Sequence, residues 1–341
     1  MHDGYLRMKL RLGIVIIGRN EGARLLRCIR SVAGSQNGSQ TGNGPLVYAD
    51  SGSTDGSPAR ARELGVEVVE LQAPFTAARG RNEGFARLLE KHPDVEVVQF
   101  LDGDTELIPG WFERALQELV DDPQVAAVCG RRRERHPEAS VYNLLCDIEW
   151  NTPVGETIVF GGDVMIRTQD MRRAGGYDAT LIAGEDPDLA VRIKKTGRKI
   201  MRLDSDMTFH DAAMTRFSQW WTRALRGGHA FAEGAELHAQ QGFWAKEVRS
   251  NWAWGAAVPA VGLGMLLPTL GTSAMVAGAS YGALFVKMLH DGRARGLAPH
   301  EARVYAAFGT LGKLPQAAGQ AKYWWGKMRR KKSTLIEYKD Q

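Results

Sequence analysis

The sequence predicts an α/β fold in which a mostly parallel sheet is flanked by helices. Three observations predict it. The run Leu12-Gly13-Ile14-Val15-Ile16-Ile17-Gly18 is short, apolar and β-branched, the pattern of a strand buried on both faces. Runs of that kind then alternate with segments of helical spacing as far as Cys129. Acids and amides collect directly after the strands, where a parallel sheet places its ligand crevice.

The elements follow in order. After the first strand, residues 22–33 place Leu25, Leu26, Ile29 and Val32 at helical spacing. Gly34–Gly44 is rich in Gly, Ser, Asn and Gln and is expected to be a flexible loop. Further strands are expected at Leu46–Ala49, Val66–Leu71, Val95–Leu101 and Val125–Cys129, with helices near 57–64, 77–91 and 110–121.

Composition limits the function classes. The 341 residues carry 44 Lys+Arg, 39 Asp+Glu and 44% hydrophobic residues, which excludes wholesale disorder and a many-span transporter. Cys28, Cys129 and Cys146 show no C-x-x-C spacing, so neither a disulfide framework nor a thiolate zinc site is expected, and a reducing compartment is the simplest setting. Leu12–Ile17 is too short for the core of a signal peptide.

Charge is unevenly spread. Residues 287–341 hold twelve Lys/Arg against four Asp/Glu, a net of +8, so the remainder sums to −3. Between Arg249 and Lys287 lie 37 uncharged residues, punctuated by Pro268-Thr269-Leu270-Gly271 as by a turn. The two legs, Trp252–Leu267 and Thr272–Val286, are each short for a hydrocarbon core of about 30 Å, so a tight or re-entrant hairpin is expected rather than two roomy spans. Arg249 and Lys287 put both ends on the cytoplasmic face, with Trp252, Trp254 and Tyr281 as interfacial anchors. Lys322-Tyr323-Trp324-Trp325-Gly326-Lys327-Met328-Arg329-Arg330-Lys331-Lys332 mixes aromatic rings with cations, which suits an anionic membrane surface better than nucleic acid.

Three strand ends carry the chemistry. Asp102-Gly103-Asp104 projects two carboxylates to one side around a glycine that lets a ligand approach, a pattern suited to Mg²⁺ or Mn²⁺ on a diphosphate, although an acidic turn looks the same. In Asp50-Ser51-Gly52-Ser53-Thr54-Asp55-Gly56, helix capping accounts for Ser53, Thr54 or Asp55. It does not account for Asp50, which is placed to accept hydrogen bonds from a base or ribose. Arg79 and Arg81 open a helix and can meet phosphate or base oxygens. Gly184-Glu185-Asp186-Pro187-Asp188 suits a helix dipole and is also a place to find a general base. His210 is by default a core or surface histidine.

Taken in order, these segments resemble the family 2 glycosyltransferases of GT-A fold, bacterial cell-surface polysaccharide type. The resemblance runs from about Leu12 to Gly228 and rests on Gly18-Arg19-Asn20-Glu21, the Asp50–Gly56 segment, Arg81-Asn82-x-Gly84, Asp102-Gly103-Asp104, Gly175-Gly176-Tyr177-Asp178 and Gly184-Glu185-Asp186-x-Asp188-Leu189. It implies a GT-A-like, Rossmann-type sheet, a nucleotide-sugar donor (UDP-sugar foremost) and inversion at the anomeric carbon.

Carried over by position, the donor set is Gly18, Asn20, Glu21, Asp50, Asp55, Arg81, Asp102 and Gly103. Asp50 lies on the uracil or ribose. Asp104 and Asp102, joined by His210, hold Mg²⁺ or Mn²⁺. Asp186 is the base, and Glu185 orients the acceptor. Gly161-Gly162-Asp163 borders the acceptor side by the same resemblance.

Ser218-Gln219-Trp220-Trp221-Thr222-Arg223 lacks the Gln-x-x-Arg-Trp spacing of the processive synthases, so transfer of a single sugar is expected. The expected organisation is a catalytic domain over 1–245, a membrane-associated hairpin over 246–290 and a basic interfacial tail over 291–341. The acceptor is a lipid-linked or other saccharide hydroxyl at the cytoplasmic face of a bacterial inner membrane. A polyprenyl-phosphate glycosyltransferase and a non-catalytic membrane scaffold are the alternatives. A nucleotidyltransferase would need a Gly-rich phosphate loop that Gly18-Arg19-Asn20-Glu21 does not provide.

Overall fold

The computed structural model describes residues 10–36 and 44–329. Among these the chain divides into two compact units. The first runs to Arg135 and adds Trp150–Leu181 and Glu185–Asp211. The second comprises His136–Glu149, Ile182–Gly184 and the chain from Ala212 onward. The expected boundary at 245 therefore differs from the point where the first unit ends, at Asp211.

In chain order the first unit contains β1 (Leu12–Gly18), α1 (Ala23–Gln36), β2 (Leu46–Asp50), α2 (Ser57–Glu63), β3 (Glu67–Glu70), α3 (Ala77–Lys91), β4 (Val97–Asp102), β5 (Thr105–Leu107), α4 (Trp111–Asp121) and β6 (Val125–Glu134). After α5 (Val141–Trp150), which belongs to the second unit except for Trp150, it continues with β7 (Gly155–Glu156), β8 (Val164–Arg167), α6 (Thr168–Arg173), α7 (Glu185–Lys195) and β9 (Lys199–His210). α1 extends through Gln36, so the expected 34–44 loop begins in a helix, and its 37–43 portion lies outside the described residues.

Among the described residues nine strands form one sheet in the order β3-β2-β1-β4-β8-β6-β9-β5, with β7 beside β9. The first four strands are parallel, as expected. The rest is mixed: β6 and β9 are also parallel, while β8 is antiparallel to both β4 and β6, and β5 and β7 are antiparallel to β9. The cause is visible in the register. Val164 opens β8 opposite Phe100, near the carboxyl end of β4, so the chain enters at the crevice edge and must run back. That reversal brings Gly161, Gly162 and Asp163 to the strand ends.

β1 and β4 read as near-continuous apolar runs because both their faces are covered; Ile14, Ile16, Val98 and Phe100 are fully buried. Burial of each such side chain contributes about 1.5–3 kcal/mol. The buried Trp111 indole donates to Gln99 Oε1 at 2.8 Å, which satisfies both polar groups inside the core. Gly84 lets α3 lie close on β1, since a Cβ there would come within 2.5 Å of Val15 Cγ1.

The second unit is helical. It contains α8 (Phe217–Leu237), a 3₁₀ turn at Ala239–Gln241, α9 (Ala245–Trp252), a π turn at Ala253–Ala257, α10 (Val258–Gly264), α11 (Thr272–Ala294), α12 (Pro299–Leu311) and α13 (Lys313–Met328). α8 and α13 cross closely at glycines: a Cβ at Gly228 would overlap the Gln316 carbonyl, and one at Gly319 would overlap that of Leu225. The stretch expected as a basic tail is thus folded into helices through Met328, and its Arg330–Lys332 portion lies outside the described residues.

The turn expected near Pro268 is present between α10 and α11. The expected apolar membrane hairpin is nevertheless not supported. The π turn interrupts its first leg, and α11 becomes charged from Lys287. No helix among the described residues is long and apolar enough to cross a membrane.

Candidate active site at the strand ends

β2, β1 and β4 finish side by side, with Gly18 paired to Asp50 and Ile17 to Asp102. Asp50 and Asp102 therefore flank β1 about 10 Å apart, two strand spacings. Asp50 is fully buried and held by neutral donors. Its Oδ1 accepts the Tyr48 hydroxyl at 2.6 Å and the Ser53 hydroxyl at 2.5 Å, and its Oδ2 accepts the Ser53 N–H at 2.7 Å. Burial and then the Asp50 carboxylate push the Tyr48 phenol up, so it keeps the proton it donates.

Asn20, at φ 55°, extends the same loop: its N–H donates to Ser53 Oγ at 2.9 Å and its Oδ1 accepts the Thr54 N–H at 2.8 Å. Asp55 accepts the Ser57 N–H at 2.9 Å, the local cap that competed with a binding role in the sequence. Burial raises the Asp55 carboxyl, but hydrogen bonds from Ser57 and Gly22 outweigh it and the net shift is downward. Glu21 pairs with Arg24 at 2.8 Å and its Cγ lies against Gly103, where a Cβ would come within 3.2 Å.

A second cluster gathers on the other side of β1. Asp102, Asp104 and His210 each offer a ligand atom, all within 4.8 Å of one another. The antiparallel pairing of β5 on β9 sets Thr105 opposite His210 and so delivers Asp104 to the imidazole, whose Nε2 is 3.4 Å from Asp104 Oδ1. Two carboxylates and an imidazole are a donor set that suits Mn²⁺ or Mg²⁺.

Arg81 stands behind this trio. Its guanidinium is buried and meets Asp102 at 2.8 Å, Glu185 at 3.0 Å and Asp186 at 3.4 Å, with the Tyr177 ring 5.2 Å away. Burial works against its charge, but Asp186, Asp102 and Glu185 hold the guanidinium firmly protonated. The balance is less favourable for the acids. Burial lifts Asp186 to about 7, Arg81 opposing and Glu185 and Asp102 reinforcing. Arg81, expected on the donor, bridges three carboxylates from β4 and α7.

Two further groups complete the site: Asp163, which the sequence placed only by resemblance at the acceptor side, and Trp150, which it did not single out. Asp163 is buried, its Oδ1 accepting the Asp102 N–H at 3.0 Å and its Oδ2 the Thr208 hydroxyl at 2.7 Å. Burial and then Asp102 raise it to about 7. Trp150 lies 4.6 Å, ring to ring, from His210. Asp163 had a signal, an acid immediately before a β-branched run. Trp150 had none, since nothing in its neighbourhood refers to a histidine sixty residues on.

The sites named from the sequence thus assemble in one compact unit, Asp50, Asp102 and Asp104 from strand ends and Glu185 and Asp186 from the first turn of α7. The Glycosyl transferase family 2 model matches residues 13–158, the part that carries Gly18, Asp50, Asp102 and Asp104. Over those residues the chain is similar to the family 2 glycosyltransferases.

A relative is the pre-mycofactocin glycosyltransferase of Mycobacterium tuberculosis, 26% identical over 232 residues; the match covers 64% of this chain but 46% of the relative, so the chain spans about half the relative's length. Among solved structures, the mannosyltransferase PcManGT from Pyrobaculum calidifontis, in complex with GDP-Man and Mn²⁺, superposes with a TM-score of 0.61. It is 19% identical, and the match covers 93% of this chain and 88% of that one. S. aureus TarS 1–349 superposes with a TM-score of 0.51 at 13% identity, over 93% and 92% of the two chains. At these identities the structures establish a shared GT-A fold.

Proposed function

We propose that this protein transfers one sugar from a nucleoside diphosphate sugar to an acceptor hydroxyl with inversion, using a divalent cation. The observation that carries the reading is the Asp102–Asp104–His210 trio set directly beside the Arg81–Glu185–Asp186 cluster. The GDP-Man and Mn²⁺ of the PcManGT complex support a nucleotide-sugar donor and a metal of this class. UDP is the nucleotide expected from the sequence, and GDP is the other one to test.

Each group has a part in the reading. Asp104, Asp102 and His210 would hold Mn²⁺ or Mg²⁺, which when bound supplies Lewis-acid stabilisation of a departing diphosphate. Asp186, carboxyl near 7, is poised to take the acceptor's proton near neutrality, worth about 10²–10⁴-fold. Glu185 orients the acceptor. Asp50 shapes the loop that receives base and ribose through Tyr48 and Ser53. One displacement at the anomeric carbon with one base inverts its configuration and requires no covalent sugar intermediate.

The proposed setting is the cytoplasmic face of a bacterial inner membrane, with a lipid-linked or other saccharide acceptor in surface polysaccharide synthesis. The support lies in the turn between α10 and α11. Leu263, Leu267, Leu270 and Met275 are 72%, 85%, 94% and 75% exposed, a costly arrangement in water. The Thr269, Thr272 and Ser273 hydroxyls there all donate to backbone carbonyls, as groups immersed in lipid must.

The test is a donor screen for UDP, GDP or dTDP release with Mn²⁺ or Mg²⁺ and a membrane lipid extract, analysed for anomeric configuration. Release with no sugar donor of any nucleotide class, or a product retaining the donor's configuration, would refute the reading. Vesicle flotation of wild type against Leu267→Asp tests the setting; equal flotation would remove it.

A further inference from the structure

β6 ends in a run of arginines, Arg131-Arg132-Arg133 followed by Arg135. Two of them are committed to carboxylates: Arg133 to Asp206 at 2.7 Å and Arg135 to Glu106 at 2.6 Å. Arg132 is placed differently. Among the described residues the partner of its guanidinium is the Trp150 ring, with Cζ 5.2 Å from the centroid, and no carboxylate lies within ion-pair distance. The side chain is half-buried, yet none of its nitrogens is sealed off without a partner. Its N–H groups therefore open toward solvent beside an acid-rich site.

Position makes that arrangement specific. In the β6–β9 register Arg132 stands opposite Thr208, whose hydroxyl binds Asp163, so Arg132 shares the sheet face of the Asp163 carboxylate. Trp150, on which it stacks, is itself against His210 of the Asp102–Asp104–His210 trio. Gly161 and Gly162 run between. A side chain at Gly161 would overlap the Arg132 guanidinium, and one at Gly162 would overlap the Asp102 carboxylate and Arg81. These two glycines, about 3.8 Å apart along the chain, thus separate Arg132 from the Asp102–Arg81 pair by a single residue step. The charge of Arg132 also reaches Asp163 and Asp186, which it holds down against burial.

A fixed guanidinium that itself forms an ion pair with none of the neighbouring acids, next to a donor set for a divalent cation, is arranged for another charged partner. Its planar fork matches phosphate oxygens two at a time. We infer that Arg132 binds the phosphate group of a substrate at the metal end of the site, its stack on Trp150 fixing the fork. This deepens the nucleotide-sugar reading and rests on it. Two substrates can present that chemistry: the diphosphate of the donor, or the phosphate of a phosphorylated lipid acceptor.

Calorimetric titration of the full-length protein in Mn²⁺ separates them, with GDP, UDP, GMP, UMP and farnesyl phosphate as probes and wild type, Arg132→Lys and Arg132→Met as proteins. Met keeps a flexible apolar contact on Trp150 without the charge. If the donor is the source, Arg132→Met weakens the diphosphate that wild type binds by about 10- to 100-fold and leaves the monophosphate unchanged. If the acceptor is the source, the loss appears with farnesyl phosphate instead. In either case Arg132→Lys recovers part of the affinity, which a purely packing role would not produce.

Arg132→Met binding both the diphosphate and farnesyl phosphate like wild type would overturn the inference, whatever its melting temperature. Wild type binding neither UDP nor GDP would instead defeat the nucleotide-sugar reading, and farnesyl phosphate alone would then decide for or against Arg132.

Discussion

Asp50 and Asp186 are both largely buried carboxylates at the ends of elements in the same compact unit, yet they are satisfied in opposite ways. Asp50 receives a phenol, a hydroxyl and an amide, all neutral, and those three bonds knit β2 to the loop that follows. Asp186 shares one guanidinium with Glu185 and Asp102, three acids against a single cation. The first arrangement is complete without a ligand. The second carries surplus negative charge in a poorly solvated place, which raises its carboxyls and leaves it tuned for a cation and a proton. Similar residues at similar positions are therefore distinguished by the company they keep.

The largest expected effect comes from the surplus side. Asp186→Asn should lower turnover by up to about 10⁴-fold with donor binding retained. Full activity in steady-state assays would remove Asp186 as the base. Asp104→Ala should reduce turnover by about 10³-fold while circular dichroism stays native. A variant that keeps its metal response would break the assignment of the trio.

Arg81→Met tests the shared cation directly. It leaves three acids uncompensated and should cost about 3–5 kcal/mol in chemical denaturation. It should also move the acidic limb of the pH–rate profile upward from near 7, because Asp186 loses its opposing charge. An unchanged limb would mean that Arg81 does not govern Asp186.

The same shifts give a stability prediction with a definite sign. A carboxyl whose folded value is raised costs nothing below its unfolded value near 4. The cost then grows as pH climbs and is complete above about 7. Metal-free protein should therefore lose stability across that window, and Asp163→Asn should flatten the loss in melting curves. On the neutral side the effects are smallest. Ser53→Ala removes a donor to Asp50 and should cost about 1 kcal/mol, with no change in the pH–rate limb.

Much of this was legible in advance. The alternation of β-branched runs with helical spacing gave the first four parallel strands, because strands covered on both faces must be apolar throughout. Asp50, Asp102 and Asp104 stood out because they follow buried strands at the crevice, whereas Asp186, in a first helical turn, had the helix dipole as a competing reason. The reversal of β8 left no comparable trace, since an apolar strand reads the same in either direction. Nor did the fate of 291–328, where the Gly and Ala positions that let α13 pack on α8 say nothing of which helix they meet.

The sequence by itself determined the element types and the acids that end them, since both follow from local periodicity and from which side chains sit where the chain leaves the sheet. Tertiary structure alone decided the partners. Arg81 joins α3 to β4 and α7, Asp163 crosses sixty-one residues to hold the Asp102 amide, and Trp150 bridges Arg132 to His210. The energies of burial, ion pairing and proton affinity depend on distances through space, and a linear order of residues does not contain them.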